Sequence, residues 1–162
     1  MEIVYQIFVT VVGGLIVGIA LDKIRINKRT ITISMTSKNY VSPYNSGSFV
    51  FDYSNNNGTY VIGQQERVFT TKWSKASDTS IHAYSDSTDI DSIALIKNVK
   101  DLSSLNLIDA DFSSRCRTAQ IGDAVAWKNI NGYYAVTKIV SIKDDNRGDT
   151  RDELECQYVI FK

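Results

Sequence analysis

The sequence predicts a mainly β protein: a single N-terminal transmembrane helix, then a small antiparallel β-barrel or sandwich of about eight strands with one short helix. Three observations carry this expectation. Residues 3–21 hold no charged side chain. From Thr30 onward, apolar residues recur at every second position. Between those alternating runs lie clusters of Asn, Gly, Ser and Asp, the residues that turns require.

The apolar run Ile3–Leu21 spans 19 residues, with Gln6 and Thr10 its clearly polar members. At the helical rise per residue, that length approaches the ~30 Å hydrocarbon core of a bilayer. A cleaved signal peptide would need a basic start, and this chain opens Met1-Glu2. Lys23, Arg25, Lys28 and Arg29 all follow the run. Positive charge stays on the cytoplasmic side, so the expected topology is single-pass in the inner (plasma) membrane. The N-terminus would be outside and the C-terminal domain cytoplasmic. Gly14 and Gly18 form a G-x-x-x-G, which lets two membrane helices approach closely. Homo-oligomerisation through that helix is the corresponding expectation. Residues 1–29 are thus read as anchor and basic juxtamembrane segment, and 30–162 as a β-rich domain.

The strands follow in order. Thr30–Met35 alternates with Ile31, Ile33 and Met35 on one side. In "SFVFDYSNNNGTYVIG", Phe49, Phe51 and Tyr53 share a face, and Tyr60 and Ile62 return to it. Asn57-Gly58 between them suits a type I′ hairpin. Arg67–Trp73 aligns Phe69, Thr71 and Trp73; Ser80–Tyr84 and Ser92–Lys97 read as two more short strands. Asn131-Gly132 marks a second hairpin whose flanks alternate poorly, which implies strands covered on both faces, or a bulge. Glu153–Phe161 closes the chain with Leu154, Cys156, Tyr158 and Ile160 on one face. The short helix is placed at "DLSSLNLIDADF", where Leu102, Leu105, Ile108 and Phe112 recur at three to four residues and Asp101 stands ready to cap.

Charge narrows the function. The chain carries 18 basic and 18 acidic residues. Setting aside Lys23, Arg25, Lys28 and Arg29 against Glu2 and Asp22 leaves 14 basic and 16 acidic. A slightly acidic domain is a poor trap for duplex nucleic acid, and none is expected as a partner. Cys116 and Cys156, forty residues apart, make no zinc pattern or disulfide framework. No cofactor or metal is expected. "DDNRGDTRDE" fails the calcium-loop register, and Arg147 and Arg151 would neutralise it, so it reads as an internally salt-bridged hairpin loop. His82 is the single histidine, with no nucleophile elbow in the chain. A catalytic role is therefore not expected.

The candidate ligand site joins cations to an aromatic face. Lys72 and Lys75 flank Trp73, and Arg115 and Arg117 flank Cys116. Indole stacks on bases and Arg or Lys grips phosphate, so these five residues are predicted to hold a nucleotide-like ligand.

One N-terminal anchor followed by a β-domain of about 130 residues resembles, in layout, the membrane-anchored β-barrel effectors of bacterial cyclic-oligonucleotide anti-phage signalling. In that family the barrel binds a cyclic dinucleotide, and the membrane segments oligomerise and disrupt the inner membrane. Those effectors typically have two membrane helices, where this chain shows one run. The resemblance rests on architecture and transfers no functional residue. Taken with the residues above, the expected function is a non-enzymatic, membrane-anchored cytoplasmic sensing or interaction module, with a structural subunit whose β-domain docks a partner protein at the membrane as the alternative.

Overall fold

The computed structural model describes residues 40–162. Ten strands follow in chain order: β1 (Val41–Ser42), β2 (Ser46–Phe51), β3 (Thr59–Ile62), β4 (Phe69–Lys75), β5 (Ser80–Tyr84), β6 (Ile90–Ile96), β7 (Cys116–Gln120), β8 (Ala124–Asn129), β9 (Tyr134–Lys143) and β10 (Glu153–Phe161). They form two five-stranded sheets, ordered β1-β3-β4-β5-β7 and β2-β10-β9-β8-β6. The β1–β3 pair is parallel and the others are antiparallel.

The two sheets bury their inner faces against each other. Period-two alternation puts Tyr60, Ile62, Phe69 and Trp73 of the first sheet into one cluster with Phe49, Trp127, Leu154 and Tyr158 of the second. Such alternation is what a sheet with one covered face requires. β8 and β9 alternate poorly for the reason their sequence suggests. Ala124, Ala126 and Val136 are buried on the outer face of the second sheet, and the β9–β10 register shifts at Glu155/Cys156.

The fold-class expectation is corrected on three counts. First, the described residues hold ten strands, and Asn57-Gly58 does not close a hairpin. β2 lies in the second sheet and β3 in the first, so the turn carries the chain across the sandwich. Asn56, Asn57 and Gly58 have φ of 48°, 55° and 68°. A Cβ at Gly58 would lie 2.0 Å from the Trp73 carbonyl oxygen, so only glycine fits. The five aromatic and aliphatic residues flanking this turn do face one interior, where Phe49 and Tyr60 stack with ring centroids 4.1 Å apart. Alternation determines which face a side chain takes; it does not choose the neighbouring strand.

Second, Asp101–Phe112 is not an α-helix. It holds one 3-10 turn, Leu102–Ser104, capped by Asp101 through the Ser103 N–H at 2.9 Å. The Asn106 side chain accepts from the Ile108 N–H at 3.0 Å, and that of Asp111 from the Ser113 N–H at 2.9 Å. Three such local bonds satisfy backbone donors outside a helix and compete with it. The segment lies instead as an irregular cover over the outer face of the second sheet. Leu102, Leu105, Leu107 and Phe112 pack there on Ala94, Ala124, Ala126 and Val136.

Third, among the described residues there is no α-helix, and no helix is long and apolar enough to cross a membrane. Among the described residues the architecture is therefore all β, without the short helix expected beside the strands. The expected span at residues 3–21, its Gly14–Gly18 association motif, the topology drawn from the basic cluster and the Thr30–Met35 strand lie outside the described residues.

Candidate functional site

The five residues expected to hold a ligand do not form one site. Trp73 points inward from β4 and is 2% exposed. Its Nε1–H donates to Thr71 Oγ1 at 2.7 Å, and its ring meets Trp127 edge-on with centroids 5.2 Å apart. No face of the indole is open to a base. Lys72 lies on the opposite side of the strand, because successive side chains alternate.

Two of the four cations do converge. Arg115 donates from Nε and Nη2 to the two carboxylate oxygens of Asp86, at 2.6 and 2.8 Å. Lys72 Nζ stands 3.9 Å from the same carboxylate. The Arg115 hydrogen bond holds Asp86 below its ordinary pKa. Lys72, Asp86 and Tyr84 border a cleft of about 410 Å³. The carboxylate between the two cations consumes much of the charge that an anion would otherwise meet.

The other two cations turn elsewhere. Arg117 pairs with Asp111 at 2.8 Å and also donates to its backbone carbonyl. Lys75 enters a carboxylate cluster at the end of the sandwich. Its Nζ lies 2.9 Å from Asp144, 3.0 Å from Asp145 and 3.0 Å from Asp152. The side chain of Asp144 is fully buried and that of Asp152 is 6% exposed. Arg147 adds a contact to Asp144 at 2.5 Å, and Ser54 donates to Asp152. Burial works against ionisation of Asp152. Bonds from Ser54, the Asp145 N–H and Lys75 outweigh it and hold the carboxyl at about 2. The carboxylates, Asp144 first, push the Lys75 ammonium up in turn.

Oxygens of Asp144, Asp145 and Asp152 lie within 4.8 Å of one another, close enough to surround a metal ion. The Lys75 ammonium already occupies that position, so a metal would first have to displace three ion pairs. The acidic loop is internally salt-bridged as its sequence suggests, but its central carboxylates are buried and bound to β4. Cys116 and Cys156 are both free thiols, and burial raises Cys156 well above its ordinary pKa. His82 Nδ1 hydrogen-bonds Thr118 Oγ1 at 2.9 Å.

A different group of residues shows the geometry that the sequence did not reveal. Arg67 Cζ sits 5.3 Å, and Lys162 Nζ 5.2 Å, from the ring centroid of Tyr133. Arg67 and Tyr133 line a polar cavity of about 460 Å³ together with Asn45, Gln64, Gln65 and Glu66. Neither cation is ion-paired with a carboxylate among the described residues, and Glu66 forms no ion pair either. A neutral aromatic face attracts a cation without cancelling its charge. Counting Glu66, the three side chains carry a net charge of +1.

Asn129 builds this arrangement. It is 1% exposed, at the end of β8. Its amide donates to the carbonyl of Glu66 at 2.8 Å and of Val68 at 3.2 Å, fixing the 3-10 turn Gln65–Arg67. Its carbonyl oxygen accepts from the N–H of Asn131 at 3.1 Å and of Tyr133 at 2.9 Å. Asn131 donates to the Glu66 carbonyl at 3.1 Å as well. One buried amide thus ties the loop carrying Arg67 to the hairpin carrying Tyr133. "NINGYY" stands out in the sequence as a turn; nothing there links it to Arg67 or to Lys162.

No protein family, curated protein or solved structure matches this chain.

Proposed function

We propose that residues 40–162 form a binding module for a small phosphate-bearing ligand, held at Arg67 and Lys162 above Tyr133. The observation that supports this reading is the pair of cations resting on a neutral ring, without carboxylate partners, beside a cavity rich in amides. Arg offers a planar fork of donors to phosphate oxygens, and Lys a point charge. The side-chain amides of Asn45, Gln64 and Gln65 supply further donors. Hydrogen bonds involving a charged group are stronger than neutral ones, so the two cations should dominate affinity. The reading keeps ligand sensing as the role, moves its site away from Trp73, and assigns no catalytic step.

The test is an NMR titration of the ¹⁵N-labelled 162-residue chain with inorganic phosphate and pyrophosphate. Saturable amide shifts at Arg67 and Tyr133 are expected, with affinity falling as salt rises, because an exposed charge pair is screened. Arg67→Ala and Lys162→Ala should each weaken binding about ten-fold, a change of ~1.4 kcal/mol. Lys72→Ala, beside the carboxylate-neutralised cleft, should leave it unchanged. Binding lost with Lys72→Ala but retained with Arg67→Ala would return the site to the Asp86 cleft. Absence of saturable binding by the parent chain would overturn the proposal.

A further inference from the structure

We infer that the ligand of the Arg67–Lys162 site is a phosphate monoester of an apolar alkyl or aryl group, not a nucleotide. The inference rests on the anion site proposed above and deepens it. Lys162 links two cavities. Its Nζ stands on the ring of Tyr133, which lines the polar cavity beside Arg67, and Lys162 itself lines a second groove of about 410 Å³. That groove is lined by Leu105, Leu107, Ile108, Tyr134 and Phe161. A charged head at Lys162 therefore has a mainly apolar trough next to it.

The trough is a built feature. Tyr134 and Phe161 stack with centroids 6.1 Å apart, and Phe112 meets Tyr134 edge-on at 6.1 Å. Leu105 and Leu107 pack down on the second sheet, whereas Ile108 is 84% exposed. The bonds that place Ile108 at the tip are specific: its N–H donates to the Asn106 side chain at 3.0 Å, and the Ala110 N–H to the Leu107 carbonyl at 3.1 Å. A large aliphatic side chain held out into water beside a cation suits an amphiphilic anion, whose apolar part would cover it.

A nucleoside fits this place poorly. Tyr133 already meets both cations, and Tyr134 is stacked on Phe161. A base laid into the trough would surrender hydrogen bonds to water and find Asn106 as the single side-chain amide lining it. An alkyl or aryl group surrenders none.

The probes are octyl phosphate below its micelle concentration, inorganic phosphate, adenosine monophosphate and octyl glucoside. Each is titrated into the labelled 162-residue chain in detergent-free buffer. Octyl phosphate should bind at least ten-fold tighter than inorganic phosphate, because its chain leaves water. It should shift the amides of Leu107, Ile108 and Phe161 as well as those of Arg67 and Tyr133. Ile108→Ser, at an exposed position that does not support the core, should remove several-fold of that gain and leave phosphate affinity unchanged. Equal affinity for octyl phosphate and phosphate, or tighter binding of adenosine monophosphate, would overturn the inference while the anion site stands. Octyl glucoside matching octyl phosphate would overturn it as well, by showing that the head group does not matter. Binding to phosphatidic acid vesicles without binding to monomeric octyl phosphate would move the site to a membrane surface and also overturn it. Failure of inorganic phosphate and octyl phosphate alike would take the anion site down with it.

Discussion

Two aromatic rings in this protein stand beside pairs of cations, and the pairs behave oppositely. Trp73 has Lys72 and Lys75 as its neighbours in sequence. In the fold the ring turns into the core, Lys72 leaves for Asp86, and Lys75 leaves for Asp144, Asp145 and Asp152. Tyr133 has no such neighbours in the chain, yet Arg67 and Lys162 both come to rest on its ring. What differs is the partner that holds each cation. A carboxylate fixes a cation and cancels its charge, so the Lys75 cluster works as a clasp between β4 and the β9–β10 loop. A neutral ring fixes a cation and leaves its charge available. Adjacency in sequence is a poor guide here because a β-strand sends adjacent side chains to opposite faces.

The most forceful way to break this comparison is Trp73→Ala. If the indole serves the core, the change should cost about 3–5 kcal/mol in chemical denaturation, as for other buried aromatic truncations. Phosphate affinity of the chain that remains folded should not move. A stable variant with impaired phosphate binding would return the ring to a ligand site.

Acid should separate the two regions next. The Asp152 carboxyl is held at about 2, against an ordinary value of 3.8, and Asp144 is also lowered, chiefly by its bond with Lys75. A depressed carboxylate contributes stability that is complete above its unfolded pKa and lost as pH falls toward its folded one. The Lys75 clasp should therefore weaken between pH 3.8 and about 2. Denaturation midpoints measured across that range should fall more steeply for the parent chain than for Asp152→Asn. Parallel slopes would mean that the clasp contributes nothing.

The smallest effect sharpens the comparison rather than breaking it. Tyr133→Leu keeps an apolar side chain under Arg67 and Lys162 but removes the ring that positions them. Exposed cation–π contacts contribute about 0.5–1 kcal/mol. Phosphate affinity measured by titration should drop about two- to five-fold. No change would mean that the two cations are positioned by their backbones alone.

Legibility in the sequence follows the same division. Ser80–Tyr84 and Glu153–Phe161 are strands with the bounds their alternation suggests, and Phe49, Phe51, Tyr53, Tyr60 and Ile62 all face the core. Cys116–Gln120 was legible only through the cations Arg115 and Arg117 around its thiol, since five residues with Ala119 as their one aliphatic side chain carry too little apolar alternation to mark a strand. Asp101–Phe112 shows helical spacing, but spacing cannot weigh a helix against the local bonds of Asp101, Asn106 and Asp111. Of the candidate site, the Asn131-Gly132 turn was visible, and the buried Asn129 beside it carried no distinguishing signal.

By itself, then, the sequence determined which side chains point inward and where the chain turns, because both are set within a few residues by pleat geometry and by the conformational freedom of Asn and Gly. Only the tertiary structure decided which sheet each strand joins and which cation meets which partner. Arg67 and Lys162 lie 95 positions apart in the chain. They meet at Tyr133 because Asn129 pins the Gln65–Arg67 turn to the β8–β9 hairpin, while the pairing of β10 with β9 sets Phe161 opposite Tyr134 and brings the next residue within reach of the ring. Long-range pairing of this kind depends on the packing of the whole sandwich, and no local pattern in the chain encodes it.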